Sequence, residues 1–109
     1  MRANEQASLL SEGHAHLRRL FEIAERRLHD RGIRIQTSPS VLEWLMDQSD
    51  WRLSLNPLRT LDGYWHQQVA SVIEGLLLDG SLRLGNVLSV SLMETSTGSQ
   101  IQFDISPSM

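Results

Sequence analysis

From Leu58 to Leu77 the apolar positions return every three or four residues: Leu58, Leu61, Trp65, Val69, Val72 and Leu76, with Ile73 and Leu77 widening the stripe. That spacing predicts one long helix with a single buried face. Gly80 stands where such a helix needs a left-handed residue to end on, a conformation glycine adopts without steric cost. The rest of the chain supplies surfaces for this helix to pack against.

Upstream, Leu17, Leu20, Phe21, Ala24 and Leu28 form a second helical stripe. It predicts a helix that starts between Ser8 and Ser11 and ends near Asp30, with residues 1–7 frayed and disordered. Gly13 weakens the first turns by about 1 kcal/mol relative to alanine. Ile33 to Thr37 alternates apolar and polar, the pattern of a short strand with one buried face. Ser38 and Pro39 then open a second helix as N-cap and first residue, with Val41, Leu42, Leu45 and Met46 buried and an end near Gln48. The connector Ser49 to Asn56 holds Trp51, Leu53 and Leu55, an apolar set expected to fold down onto the body. Pro57 disfavours helix at Asn56, so the long helix starts between Leu58 and Leu61.

After Gly80, Val87 to Met93 reads as a strand with Leu88, Val90 and Leu92 on one face. Glu94 to Ser99 has loop composition, and Gln100 to Ile105 alternates Ile101, Phe103 and Ile105 with Gln100, Gln102 and Asp104. The order is helix, strand, helix, helix, strand, strand. It predicts an α+β single domain over residues 1–109, about three helices packed on one face of a small three-stranded sheet.

Composition narrows the chemistry. The chain has no cysteine, which excludes disulfides, thiolate metal sites and cysteine nucleophiles. It also has no lysine, all ten basic residues being arginine. A phosphate-binding P-loop needs its lysine, and so does a Schiff base, so this chain alone is neither a P-loop ATPase nor a Schiff-base enzyme. Net charge is −3. Arg18, Arg19, Arg26, Arg27 and Arg31 are interleaved with Glu22, Glu25 and Asp30, which fits a solvated helix face with pairs such as Glu22 and Arg26 better than a nucleic-acid surface. The polar N-terminus and the short apolar runs give neither a secretory signal nor a membrane span, and the cytoplasm is the expected compartment.

No residue set amounts to an active site. His14 and His16 are two apart, a spacing that does not join ligands on a helix, and His29 and His66 lie elsewhere, so no metal site is expected. No serine sits in a nucleophile elbow. Glu43, Asp47 and Asp50 fit the outer face of a helix and its end. Trp44, Trp51 and Tyr64 lie off the core-facing stripes. As large aromatics they are the candidates for an interaction surface, with cover for the domain's own loops as the alternative use.

Leu28 to Ile35 reads Leu-His-Asp-Arg-Gly-Ile-Arg-Ile, Pro57 to Arg59 reads Pro-Leu-Arg, and Leu77 to Gly85 reads Leu-Leu-Asp-Gly-Ser-Leu-Arg-Leu-Gly. In this order and spacing, residues 17–105 resemble the C-terminal small subdomain, or lid, of Clp-type AAA+ ATPases, the ring-forming unfoldases and disaggregases. The resemblance implies a chaperone part that packs beside an ATP-binding large subdomain, contacts neighbouring subunits and helps hold a hexameric ring. It implies ATP on the parent protein and no cofactor on this chain alone, no nucleic acid and no membrane. The isolated domain is expected to be a monomer or weak oligomer.

In that family the long helix opens with Gly-Ala-Arg-Pro-Leu-x-Arg, whose first arginine reaches the nucleotide phosphates. Here Asn56, Pro57, Leu58 and Arg59 occupy the sensing motif, with Ser54 and Leu55 at the glycine and alanine positions and Thr60 at the final arginine. Asparagine carries no charge and cannot make arginine's bidentate phosphate contact. The resemblance therefore implies a lid whose nucleotide sensing is lost and whose work is subunit contact. A free-standing protein-interaction module with this fold is the alternative, with Tyr64, Trp44 and the apolar connector Trp51 to Leu55 as its binding face.

Overall fold

The computed structural model describes residues 3–107. Its elements are α1 (Ala3–His29), β1 (Arg34–Thr37), α2 (Pro39–Gln48), a 3-10 turn (Trp51–Leu53), α3 (Pro57–Trp65), a π-helical turn (His66–Ala70), α4 (Ser71–Leu78), β2 (Asn86–Thr95) and β3 (Gly98–Pro107). The π turn joins α3 and α4 into one continuous rod, so the domain is α+β, three helical bodies and one mixed three-stranded sheet in the order β1-β2-β3. β1 runs parallel to β2 (Ile35 beside Leu88), and β2 and β3 form an antiparallel hairpin (Val90 beside Phe103).

α1 begins five residues before its expected start, and Ala3 to Ala7 is helical backbone where fraying was expected; Met1 and Arg2 lie outside the described residues. Leu17, Leu20, Phe21 and Leu28 are buried along α1, as their spacing requires. They meet Leu61, Trp65, Val69 and Ile73 of the long rod, Val41, Leu42 and Leu45 of α2, and Ile35, Leu88 and Val90 of the sheet in one core.

The buried face of the rod differs from the expected one. Residues 61, 65, 69 and 73 are buried while Val72 is exposed. In a regular α-helix each four-residue step turns about 40° past a full circle, so a run of such steps drifts off the core. The π turn absorbs part of that rotation and keeps the four residues in line. Around it the His66 ring bonds the Asp62 carbonyl at 2.9 Å and the Ser71 hydroxyl donates to the Gln67 carbonyl at 2.7 Å.

The rod ends as expected. Gly80 is left-handed at φ 81, and Leu82 N–H returns to the Leu76 carbonyl at 3.0 Å. Ser38 precedes α2, but its hydroxyl bonds the Ser40 hydroxyl at 2.8 Å instead of capping the helix. The β2–β3 connection is only Ser96 and Thr97, tighter than the Glu94 to Ser99 loop expected. Thr95 makes this possible: its hydroxyl binds Gly98 carbonyl and Thr97 N–H, and Gly98 takes the one positive φ, 126, that the turn needs.

Candidate interaction surface

The connector between α2 and α3 is fixed by one residue. Trp51 is fully buried, packed against Gly13 of α1, and its indole N–H donates to the Met46 carbonyl at 3.1 Å. The Ser54 hydroxyl donates to the Trp51 carbonyl at 2.8 Å, and the Thr60 hydroxyl donates to that of Ser54 at 2.8 Å. With the backbone so held, Leu53 and Leu55 point outward, 87% and 108% exposed. This corrects two expectations. Trp51 is core, so it forms no part of an interaction surface. Leu53 and Leu55 do not fold down, because the single tryptophan fills the space beneath the loop.

Directly after this loop come Asn56, Pro57, Leu58 and Arg59, the positions that the resemblance equates with a nucleotide-sensing motif. Asn56 is exposed, precedes α3 without a side-chain cap and accepts Thr60 N–H at its carbonyl, 3.0 Å. Pro57 and Leu58 are half-buried in the first turn of α3, and Arg59 is exposed. The structure thus brings Leu53, Leu55, Asn56 and Arg59 to one end of α3, a charged and apolar surface around a helix N-terminus.

The other aromatic candidates have internal work. Trp44 is half-buried and its indole N–H donates to the Ser99 carbonyl at 3.2 Å, tying α2 to the hairpin tip. Tyr64 is half-buried on α3, and desolvation raises its phenol pKa above the ordinary value. Trp44 and Tyr64 are separate from the Leu53 and Leu55 loop in their bonding.

A carboxylate unremarked in the sequence joins two helices. Asp62 of α3 accepts from His16 Nε2 of α1 at 3.1 Å and faces His66 Nδ1 at 3.2 Å. His16 lies 46 residues away in the chain, so spacing alone gave no sign of the contact. Among the described residues the expected Glu22 and Arg26 ion pair is not formed, and Asp62 with its two histidines is a carboxylate contact present instead.

A groove of about 420 Å³ runs between α1 and the rod, lined by Leu20, Ala24, Leu28, Trp65, Ile73 and Leu77 with Arg27, Arg31, His66 and Glu74 at its rim. Trp65 is core, as its position on the stripe predicts, with Phe21 edge-on at 5.5 Å. Its indole N–H has no hydrogen-bond partner, which in a core costs about 1–3 kcal/mol.

Among the described residues no polar or charged side chain is buried, and no group of three or more His, Asp or Glu is disposed to hold a metal ion. No described helix is long and apolar enough to cross a membrane. Compared with known families and with curated proteins, the chain matches no family model and no curated sequence.

Proposed function

We propose that this chain is a docking domain of the lid type, a C-terminal subdomain of a divergent Clp-like AAA+ chaperone that makes subunit contacts and no longer senses nucleotide. The observation that carries the reading is the end of α3. Leu53 and Leu55 are almost wholly exposed on a loop pinned by Trp51, immediately beside Asn56, where the resembled family holds its phosphate-reaching arginine. Exposed leucines on a rigid loop favour contact with protein, because burying them removes apolar surface without ordering the loop anew. The order of helices and strands and the left-handed Gly80 agree with the same reading. It puts the protein in the cytoplasm, in a ring whose large subdomains bind ATP, while this chain alone binds none and catalyses nothing.

A second reading is a free-standing interaction module that uses the same loop. The uncharged Asn56 favours it, since nothing at that position ties the domain to a nucleotide. Calorimetric titration with ATP tests the shared element of both. No binding is expected, with or without Arg59→Ala; ATP binding that Arg59→Ala abolishes would contradict the loss of sensing.

A further inference from the structure

We propose that β3 is a docking edge for a second copy of this chain, the two strands pairing antiparallel about Phe103 to make one continuous sheet. The two edges of the sheet differ. β1 has four residues and carries exposed Arg34, features that discourage edge pairing. β3 has ten residues in one-to-one register with β2, without a bulge, and no proline before Pro107. Among the described residues no backbone–backbone hydrogen bond joins β3 to any segment but β2, and the Trp44 indole takes only the Ser99 carbonyl near the hairpin tip. Such an edge offers a row of N–H and C=O groups to another strand.

A second feature coincides with this edge. α1 packs on β1 and α2 on β2, while no helix lies broadly over β3. Ile101, Phe103 and Ile105, on the same face as Leu92, Val90 and Leu88, are therefore only half-buried. A strand added beside them covers both deficits together.

The occupant follows from the strand's own sequence. A two-fold axis through Phe103 sets Ile101 opposite Ile105 and Gln102 opposite Asp104, and both pairings keep apolar with apolar and polar with polar. Asp104 is the only charge on β3, and Gln102 already donates to it within the chain at 3.1 and 3.0 Å. Across the axis each carboxylate again meets an amide, so two copies approach without like charges facing. Both strands also bring their helices to the same side of the joined sheet, where the half-buried stripes meet.

The test is sedimentation of the full chain over roughly 5–500 µM, a range that spans weak protein contacts. Gln102→Glu sets a carboxylate opposite the second copy's Asp104, and Gln102→Lys sets a cation there. A reversible dimer is expected, weakened roughly fivefold by Gln102→Glu and held at least as tightly by Gln102→Lys. Both variants also change the bond Gln102 makes to its own Asp104, so circular dichroism should match the wild type while the melting temperature of the monomer falls slightly for Gln102→Glu and not for Gln102→Lys. A wild-type chain that stays monomeric, or captures only extended peptides of other sequence, overturns the proposal. So does a dimer on which the two variants act alike.

Discussion

A Cβ on Gly13 would stand within 3.0 Å of three ring carbons of Trp51. The glycine of α1 and the tryptophan of the connector are fitted to each other. Gly13 is therefore the seat for the ring that fixes the surface loop, and the cost of glycine in a helix is offset by that packing.

Gly13→Ala should destabilise the domain. Helix propensity gains about 1 kcal/mol, but overpacking against the indole costs about 1–3 kcal/mol, and the net loss is about 1 kcal/mol. Gly75 in α4 is the control, with nothing within 4 Å of its added Cβ. Gly75→Ala should stabilise by about 0.5–1 kcal/mol. Urea unfolding of both variants checks the contrast; a stabilising Gly13→Ala would contradict the packing.

The two buried tryptophans should respond differently to loss of their N–H. Trp51→Phe leaves the Met46 carbonyl without its indole donor, whereas Trp65→Phe removes a donor that has no partner. Both lose ring volume. Trp51→Phe should cost about 1 kcal/mol more than Trp65→Phe in denaturant unfolding. Equal costs would mean that the Trp51 hydrogen bond adds nothing.

Tyr64 is the only tyrosine, so ultraviolet absorbance reads its ionisation alone. Desolvation raises its pKa in the fold. The corresponding stabilisation is complete below the pKa of the unfolded tyrosine and is lost as pH rises through the folded value. The titration midpoint should be higher in native protein than in urea-denatured chain, and coincident midpoints would contradict the partial burial.

Asp79 has the opposite sign. The Ser81 hydroxyl, then the Ser81 N–H at 2.8 Å, holds its carboxyl below the usual range. The stabilisation is present above the unfolded carboxyl's pKa and disappears as pH falls through the folded one. Asp79→Ala should melt below wild type at neutral pH, with the gap closing in strong acid. A gap independent of pH would remove the charge from the explanation.

Much of the fold is legible in the chain because local patterns and tertiary packing agree. Ile101, Phe103 and Ile105 alternate as a strand and form one; Ser38 and Pro39 open α2; Gly80 closes the rod. What escapes a sequence reading depends on residues far apart. Nothing near Gly13 announces Trp51, and nothing near Asp62 announces His16. The connector shows the limit clearly. Trp51, Leu53 and Leu55 are equally apolar in sequence, yet only the tryptophan has a hydrogen-bond acceptor and a glycine-lined seat beneath it. The rod's face shifted for a similar reason, since the π turn is a backbone choice that keeps Trp65, Val69 and Ile73 on one core. For the candidate surface, the sequence marked Asn56 and Arg59 through the family resemblance and the connector Trp51 to Leu55 as one apolar stretch, but it did not separate the buried tryptophan from the exposed Leu53 and Leu55.

The central claim is that the Leu53 and Leu55 loop docks on an AAA+ large subdomain. The direct measurement is affinity purification of the tagged chain from its own cells after mild crosslinking, with bound peptides identified by mass spectrometry, for wild type and for Leu53→Ser with Leu55→Ser. Both leucines are exposed, so the double variant should keep wild-type stability within about 0.5 kcal/mol. The account predicts peptides of a P-loop ATPase domain with the wild type, in the same polypeptide or a partner, and a severalfold drop in crosslinks to that domain in the variant. A different stable partner, or a P-loop domain crosslinked equally by both proteins, would contradict it.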